Sequence, residues 1–133
     1  MGSHPASRSR LLIVDDEPSL LGLLQRYLER LGYEIDVAAT PEAALEHFQS
    51  DPAKYACILT DLKLPGMSGE EMLERMRALR PGLRALISSG QPYQPRSANV
   101  GFLQKPYLPA MLAEALERVL RKPAPGRAGP ANQ

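Results

Sequence analysis

No stretch of this chain is apolar for long enough to cross a membrane, and neither sign of charge prevails. Sixteen basic residues face 15 acidic ones, for a net charge of +1. That balance removes the electrostatic case for a nucleic acid or a membrane surface as the main partner. There is one cysteine, so no disulfide framework can form within the chain. Cys57 sits inside an apolar run and reads as a core residue of a reducing compartment, so a cytoplasmic location is expected. Histidine is nearly absent. His4 lies in the tag-like start and His47 on an expected solvated helix face, so neither is a metal candidate. The opening Met1-Gly2-Ser3-His4 lacks the apolar region of a signal peptide and reads as a vector remnant, so residues 1–9 are set apart as a disordered start. From Pro123 to Gln133 the chain is rich in Pro, Gly and Ala without periodicity, as in a disordered tail or linker. The remainder, residues 10–122, suits one domain; the whole chain of 133 residues is 44% hydrophobic.

What is present is an alternation of apolar runs and amphipathic stretches. Arg10–Val14 is continuously apolar after its first residue and stops at Asp15-Asp16-Glu17, the look of a strand buried on both faces. Pro18 and Ser19 open a helix with Leu20, Leu21, Leu24, Tyr27, Leu28 and Leu31 on one face, stopped by Gly32. A second strand is expected over Ile35–Ala39. A helix then begins at the cap Thr40 with Pro41 as its first residue, and turns Ala44, Leu45 and Phe48 inward. The run Tyr55–Leu59 predicts a third strand just before Asp61. A third helix starts with the capping box at Ser68 and carries the stripe Met72, Leu73, Met76 and Leu79. Ala85–Ser88 and Gly101–Gln104 predict the fourth and fifth strands. Between them Gln91–Val100 holds Pro92 and Pro95 and reads as loop. A last helix from near Pro109 carries Met111, Leu112, Ala115, Leu116, Val119 and Leu120.

Alternation of this kind implies an α/β fold, with parallel strands, right-handed crossovers and helices on both faces. All strands then present their C-terminal ends at one edge, where such sheets bind ligands. This sequence puts Asp15, Asp16, Asp61, Ser89 and Lys105 at that edge. Alone, Asp61 could as well satisfy loop amides, and Asp15 and Asp16 could cap the first helix. Together, three carboxylates repel one another, and a divalent cation relieves this. All-oxygen ligands suit Mg²⁺, with Mn²⁺ the alternative. A carboxylate beside such an ion can attack phosphorus, a lysine can pair with a phosphoryl oxygen, and a serine can donate to one. Those are the parts of a phosphoryl-transfer site.

These residues resemble the receiver domain of two-component response regulators. The matching pieces are Leu12-Ile13-Val14-Asp15-Asp16-Glu17, the stretch Thr60 to Gly69, Ser88-Ser89-Gly90, and Gly101 to Pro106. The resemblance covers about residues 10–122 and implies a doubly wound, flavodoxin-like sheet in strand order 2-1-3-4-5. It implies that Asp61 accepts a phosphoryl group from the phosphohistidine of a histidine kinase or phosphotransfer domain. Asp16 would ligate Mg²⁺ directly, Asp15 would help directly or through water, and the backbone carbonyl of Lys63 would be a further ligand. Lys105 would pair with Asp61 and then with the phosphoryl group, and the Lys105–Pro106 bond would be cis. Ser89 would be the switch hydroxyl and Phe102 the switch aromatic. Lys63 and Gln91, each two residues beyond a site residue, would border the path of the hydrolytic water. Such a domain catalyses its own phosphorylation and dephosphorylation and switches an output partner or a linked domain.

From Ser89 to Lys105 is a step of 16 residues (105 − 89), shorter than the family usually has. The fourth helix of the family is therefore expected to be shortened or absent, as in some receivers of hybrid sensor kinases and in some stand-alone ones. Two rivals stand beside this reading. A Mg²⁺-dependent aspartyl phosphatase usually carries a second acid two residues after its nucleophile, where this chain has Lys63. A pseudo-receiver, a binding module that never takes phosphate, has no evident use for the full set of polar strand ends. Nothing after residue 122 has the pattern of a DNA-binding domain.

Overall fold

A computed structural model describes residues 9–121; the tag-like start up to residue 8 and the expected tail lie outside the described residues. Its elements run in the order β1 (Arg10–Val14), α1 (Pro18–Arg30), β2 (Glu34–Ala38), α2 (Pro41–Ser50), β3 (Cys57–Asp61), α3 (Gly69–Leu79), β4 (Ala85–Ser89), β5 (Val100–Gln104) and α4 (Pro109–Arg121). The five strands are parallel and ordered β2-β1-β3-β4-β5, as expected.

Continuous apolar strands follow from burial on both faces. Along β1, Leu11 and Ile13 enter the core under α1 and α4, while Leu12 and Val14 enter the core under α2 and α3. Phe48 of α2 and Met72 and Met76 of α3 are fully buried in the second core, each worth about 1.5–3 kcal/mol of apolar transfer. Local sequence sets the helix ends. Thr40 Oγ1 accepts from the Ala43 N–H at 3.1 Å, and Ser68 Oγ accepts from the Glu71 N–H at 3.0 Å. Gly32 stands at φ 106° after α1, where its N–H bonds Glu29 O and the Tyr33 N–H bonds Leu28 O, closing the helix.

Some boundaries and faces differ from expectation. The third strand lies two residues later than the apolar run suggested, because Tyr55 packs ahead of it, fully buried, with its hydroxyl on Asp36. Asp61 is thus the last residue of the strand itself. Leu31, Leu79 and Met111 are exposed (43%, 52% and 44%), since each sits at a helix end where the face turns off the sheet. Residues 90–99 hold no helix. That segment is tied down by Tyr93, whose hydroxyl donates to Glu70 at 2.7 Å and whose ring lies 6.0 Å from that of Phe102. The buried Asn99 side chain donates to Leu83 O. Pro92 and Pro95 explain the missing helix, since each removes a donor and displaces the preceding residue from helical geometry.

Candidate functional site

Parallel pairing brings the ends of β1, β3, β4 and β5 to one edge of the sheet. There Asp15, Asp16 and Asp61 each offer an oxygen within 4.8 Å of the others. Asp15 is buried and Asp16 exposed, with Asp61 between them. The Asp15 carboxylate accepts from the Glu17 N–H at 2.9 Å in a turn just ahead of α1, whose N-cap Glu17 has no side-chain cap bond, so Asp15 faces the cluster without capping the helix. Lys105, just after β5, places Nζ 2.6 Å from Asp61 Oδ1 and 3.8 Å from Asp15 Oδ2. The Lys105–Pro106 bond is cis.

Burial pushes the Asp15 carboxyl up to about 6; the backbone bond from Glu17 pulls it back, and the charge of Asp61 adds to the rise. Burial alone would lower the Lys105 ammonium. The hydrogen bond and charge of Asp61, with the charge of Asp15, outweigh this and hold it above the ordinary lysine range. Among the described residues Lys105 pairs with two of the three carboxylates, Asp15 and Asp61, which leaves an excess of negative charge at the edge. In an octahedral Mg²⁺ shell with about 2.1 Å metal–oxygen bonds, opposite ligands stand about 4.2 Å apart. An oxygen cluster within 4.8 Å fits that shell with little closure. Asp15, Asp16 and Asp61 are the residues that could hold it.

A cleft of about 260 Å³ opens beside this cluster, lined by Asp61, Lys63, Ser89, Gly90, Gln91 and Lys105. Seven of the eight residues singled out in the sequence therefore gather here, Asp61, Lys63, Ser89, Gln91 and Lys105 on the cleft and Asp15 and Asp16 beside it. Phe102, the eighth, lies against Tyr93 instead. Ser89 reaches the cleft, but its Oγ accepts from the Gln91 N–H at 3.0 Å, and its carbonyl accepts from the Lys105 N–H at 2.8 Å. The serine that touches the central carboxylate is Ser88, whose Oγ donates to Asp61 Oδ1 at 3.3 Å. Sequence reasoning gave Ser88 no role; its placement follows from the β3–β4 register, which sets Asp61 opposite Ser88. Gly69 was also passed over. A Cβ there would stand 2.1 Å from the Asp61 carbonyl oxygen, so the start of α3 presses on the backbone of the central aspartate.

The family model described as response regulator receiver domain matches residues 11–117. Among curated proteins, the transcriptional regulatory protein FixJ of Bradyrhizobium diazoefficiens is 24% identical over 125 residues, 90% of this chain and 60% of that protein. The chain thus spans about three fifths of FixJ. A CheY-like receiver domain protein of Methanospirillum hungatei is 32% identical, with a TM-score of 0.74 over 84% of this chain and 93% of that one. The response regulator TrrA of Thermotoga maritima, solved in complex with Mg²⁺-BeF, is 27% identical, with a TM-score of 0.73 over 84% of this chain and 99% of that one. Fold, family model and the acidic strand-end cluster agree: the chain belongs to the response regulator receiver domains of two-component systems.

Proposed function

We propose that this domain, residues 10–122, takes a phosphoryl group from a histidine kinase or phosphotransfer domain onto Asp61 and thereby switches a partner or a linked domain. The observation that carries this is the Asp61 carboxylate at the end of β3, paired with Lys105 at 2.6 Å and set within 4.8 Å of two more carboxylates. A carboxylate oxygen of Asp61 attacks phosphorus; the P–N bond to the donor imidazole breaks, and the imidazole leaves with the bonding pair and takes up a proton. Asp15, Asp16 and Asp61, with the Lys63 carbonyl, would hold Mg²⁺, which would neutralise the charge of the incoming phosphoryl oxygens. Lys105 holds Asp61 before transfer and a phosphoryl oxygen afterwards. Ser89 turns its hydroxyl from the Gln91 N–H to the phosphoryl group, and Phe102 moves into the space this leaves. Lys63 and Gln91 line the cleft and tune how long the phosphoryl group lasts. The helix-free connection at residues 90–99 supports a receiver of the kind carried by some hybrid sensor kinases or standing alone, and the cytoplasm is the place of action in this reading.

Intact-mass spectrometry after incubation with acetyl phosphate tests this reading, with Mg²⁺ or EDTA, on wild type and Asp61→Asn. A Mg²⁺-dependent gain of one phosphoryl group, absent in the variant, is expected. A folded wild type that gains none under any condition is a binding module, and the phosphoacceptor reading is then wrong.

A further inference from the structure

We infer that Ser88 is a positioning residue for phosphoryl transfer, selecting which oxygen of Asp61 attacks; this rests on the phosphoacceptor reading of Asp61. Two donors converge on Oδ1, the Lys105 ammonium at 2.6 Å and the Ser88 hydroxyl at 3.3 Å, and neither contact falls on Oδ2. The torsion that turns an aspartate carboxylate about its Cβ–Cγ bond is soft and nearly two-fold. Hydrogen bonds therefore decide which oxygen faces the cleft. Lys105 follows β5 and its side chain is 29% exposed, so it holds Oδ1 from the open side. Ser88 holds it from within the sheet. Below the carboxylate lies a cavity of about 20 Å³, walled by Leu24, Leu59, Leu86, Leu103 and Leu112. Thr60, Ser88 and Tyr107 also line it; Thr60 gives its hydroxyl to the Asp61 carbonyl at 2.9 Å, and the hydroxyl bonded to the carboxylate is that of Ser88, which sets the plane on this side.

Neighbouring Ser89 cannot share the task in this arrangement, because adjacent strand residues point to opposite faces and its Oγ is engaged by Gln91. With Oδ1 held twice, the lone pair of Oδ2 forms the new O–P bond. With acetyl phosphate as donor, the P–O bond to the acetyl group breaks and acetate leaves with its electron pair. Ser88 keeps its proton throughout. Once Oδ2 carries the phosphoryl group, Oδ1 is the acyl oxygen; Lys105 passes to a phosphoryl oxygen, and the Ser88 hydroxyl remains on Oδ1.

The test measures phosphorylation of wild type, Ser88→Ala and Ser88→Thr by intact mass over a series of acetyl phosphate concentrations at saturating Mg²⁺. Loss of one hydrogen bond to a reacting carboxylate should slow the maximal rate of Ser88→Ala roughly five- to tenfold. The half-saturating donor concentration should stay put, because Ser88 does not touch the donor. Ser88→Thr, which keeps the hydroxyl, should restore the rate. Urea midpoints show that each variant is folded, and the Asp61 carboxyl ¹³C resonance without Mg²⁺ should move in Ser88→Ala and return in Ser88→Thr. An Ala variant at the wild-type rate, or a Thr variant as slow as Ala, overturns the role of Ser88 alone. A wild type that takes no phosphoryl group, like Asp61→Asn, overturns the phosphoacceptor reading and this role with it.

Discussion

Replacing Gly69 by alanine puts the link between the start of α3 and the Asp61 backbone to a direct test. The added Cβ would lie 2.1 Å from the Asp61 carbonyl oxygen, 3.0 Å from Thr60 Oγ1 and 3.2 Å from the Asp61 carbonyl carbon. Ordinary contact begins at 3.4 Å, so about 1.3 Å must open against backbone. That backbone is not free to yield: the same carbonyl accepts from Thr60 Oγ1 at 2.9 Å, and the Gly69 N–H bonds Leu62 O at 2.7 Å. Alanine in place of glycine would by itself favour the helix by up to about 1 kcal/mol. Overpacking of this kind costs about 1–3 kcal/mol, and here the larger part of that range applies because no flexible side chain can move aside. We therefore expect Gly69→Ala to lose a net 1–2 kcal/mol or so, read as a lower urea midpoint at unchanged slope. Its phosphorylation by acetyl phosphate should fall more than its stability explains, since the strain is delivered to Asp61. Gly90→Ala is the control: nothing lies within 4 Å of a Cβ there, and its midpoint should not change. A Gly69→Ala protein with the midpoint and phosphorylation rate of wild type would refute the argument.

Asp15→Asn removes a buried charge that repels Asp61 while keeping an oxygen for the Glu17 N–H. In the absence of metal it should raise stability by about 1–3 kcal/mol, and the added stability that Mg²⁺ confers should disappear; equal urea midpoints for variant and wild type with EDTA would count against this. At the opposite end of the sheet, burial pushes Asp36 up, but the Tyr55 hydroxyl, Arg10 at 2.8 Å and Lys54 at 3.4 Å outweigh it and hold the carboxyl below its ordinary value. A lowered native pKa means stability that is present above the unfolded value of about 3.9 and lost as pH falls through the native one. Asp36→Asn should flatten that acid arm of the urea-midpoint profile, and an identical decline between pH 6 and 3 in both proteins (a range of about 3 units around the titration) would exclude the role.

The residues themselves settled much of this molecule. Runs such as Leu11–Val14 are apolar at every position because both faces are buried, and that alone signals a parallel sheet with helices on either side. Thr40, Ser68 and Gly32 mark helix ends by chemistry that acts within a few residues, so those ends were legible. Polar residues that stop apolar strands had to share an edge once the strands were parallel, which brought Asp15, Asp16, Asp61 and Lys105 together. Pro92 and Pro95 foretold a connection without a helix. Contacts made across the chain were another matter. Tyr55 belongs to the apolar run before Asp61, yet the partner of its hydroxyl is Asp36 on another strand, and this shifts β3 by two residues. Whether Ser88 or Ser89 meets Asp61 depends on the register of β4 against β3, where a slip of one residue exchanges the two faces. The pressure of Gly69 on Asp61 and the seat of Phe102 against Tyr93 likewise arise only when elements distant in sequence pack. Periodicity and caps are local, so sequence alone determined the elements and the edge at which the chemistry lies. Which atom of one side chain faces which atom of another is set by packing between elements, and only the tertiary structure decided it.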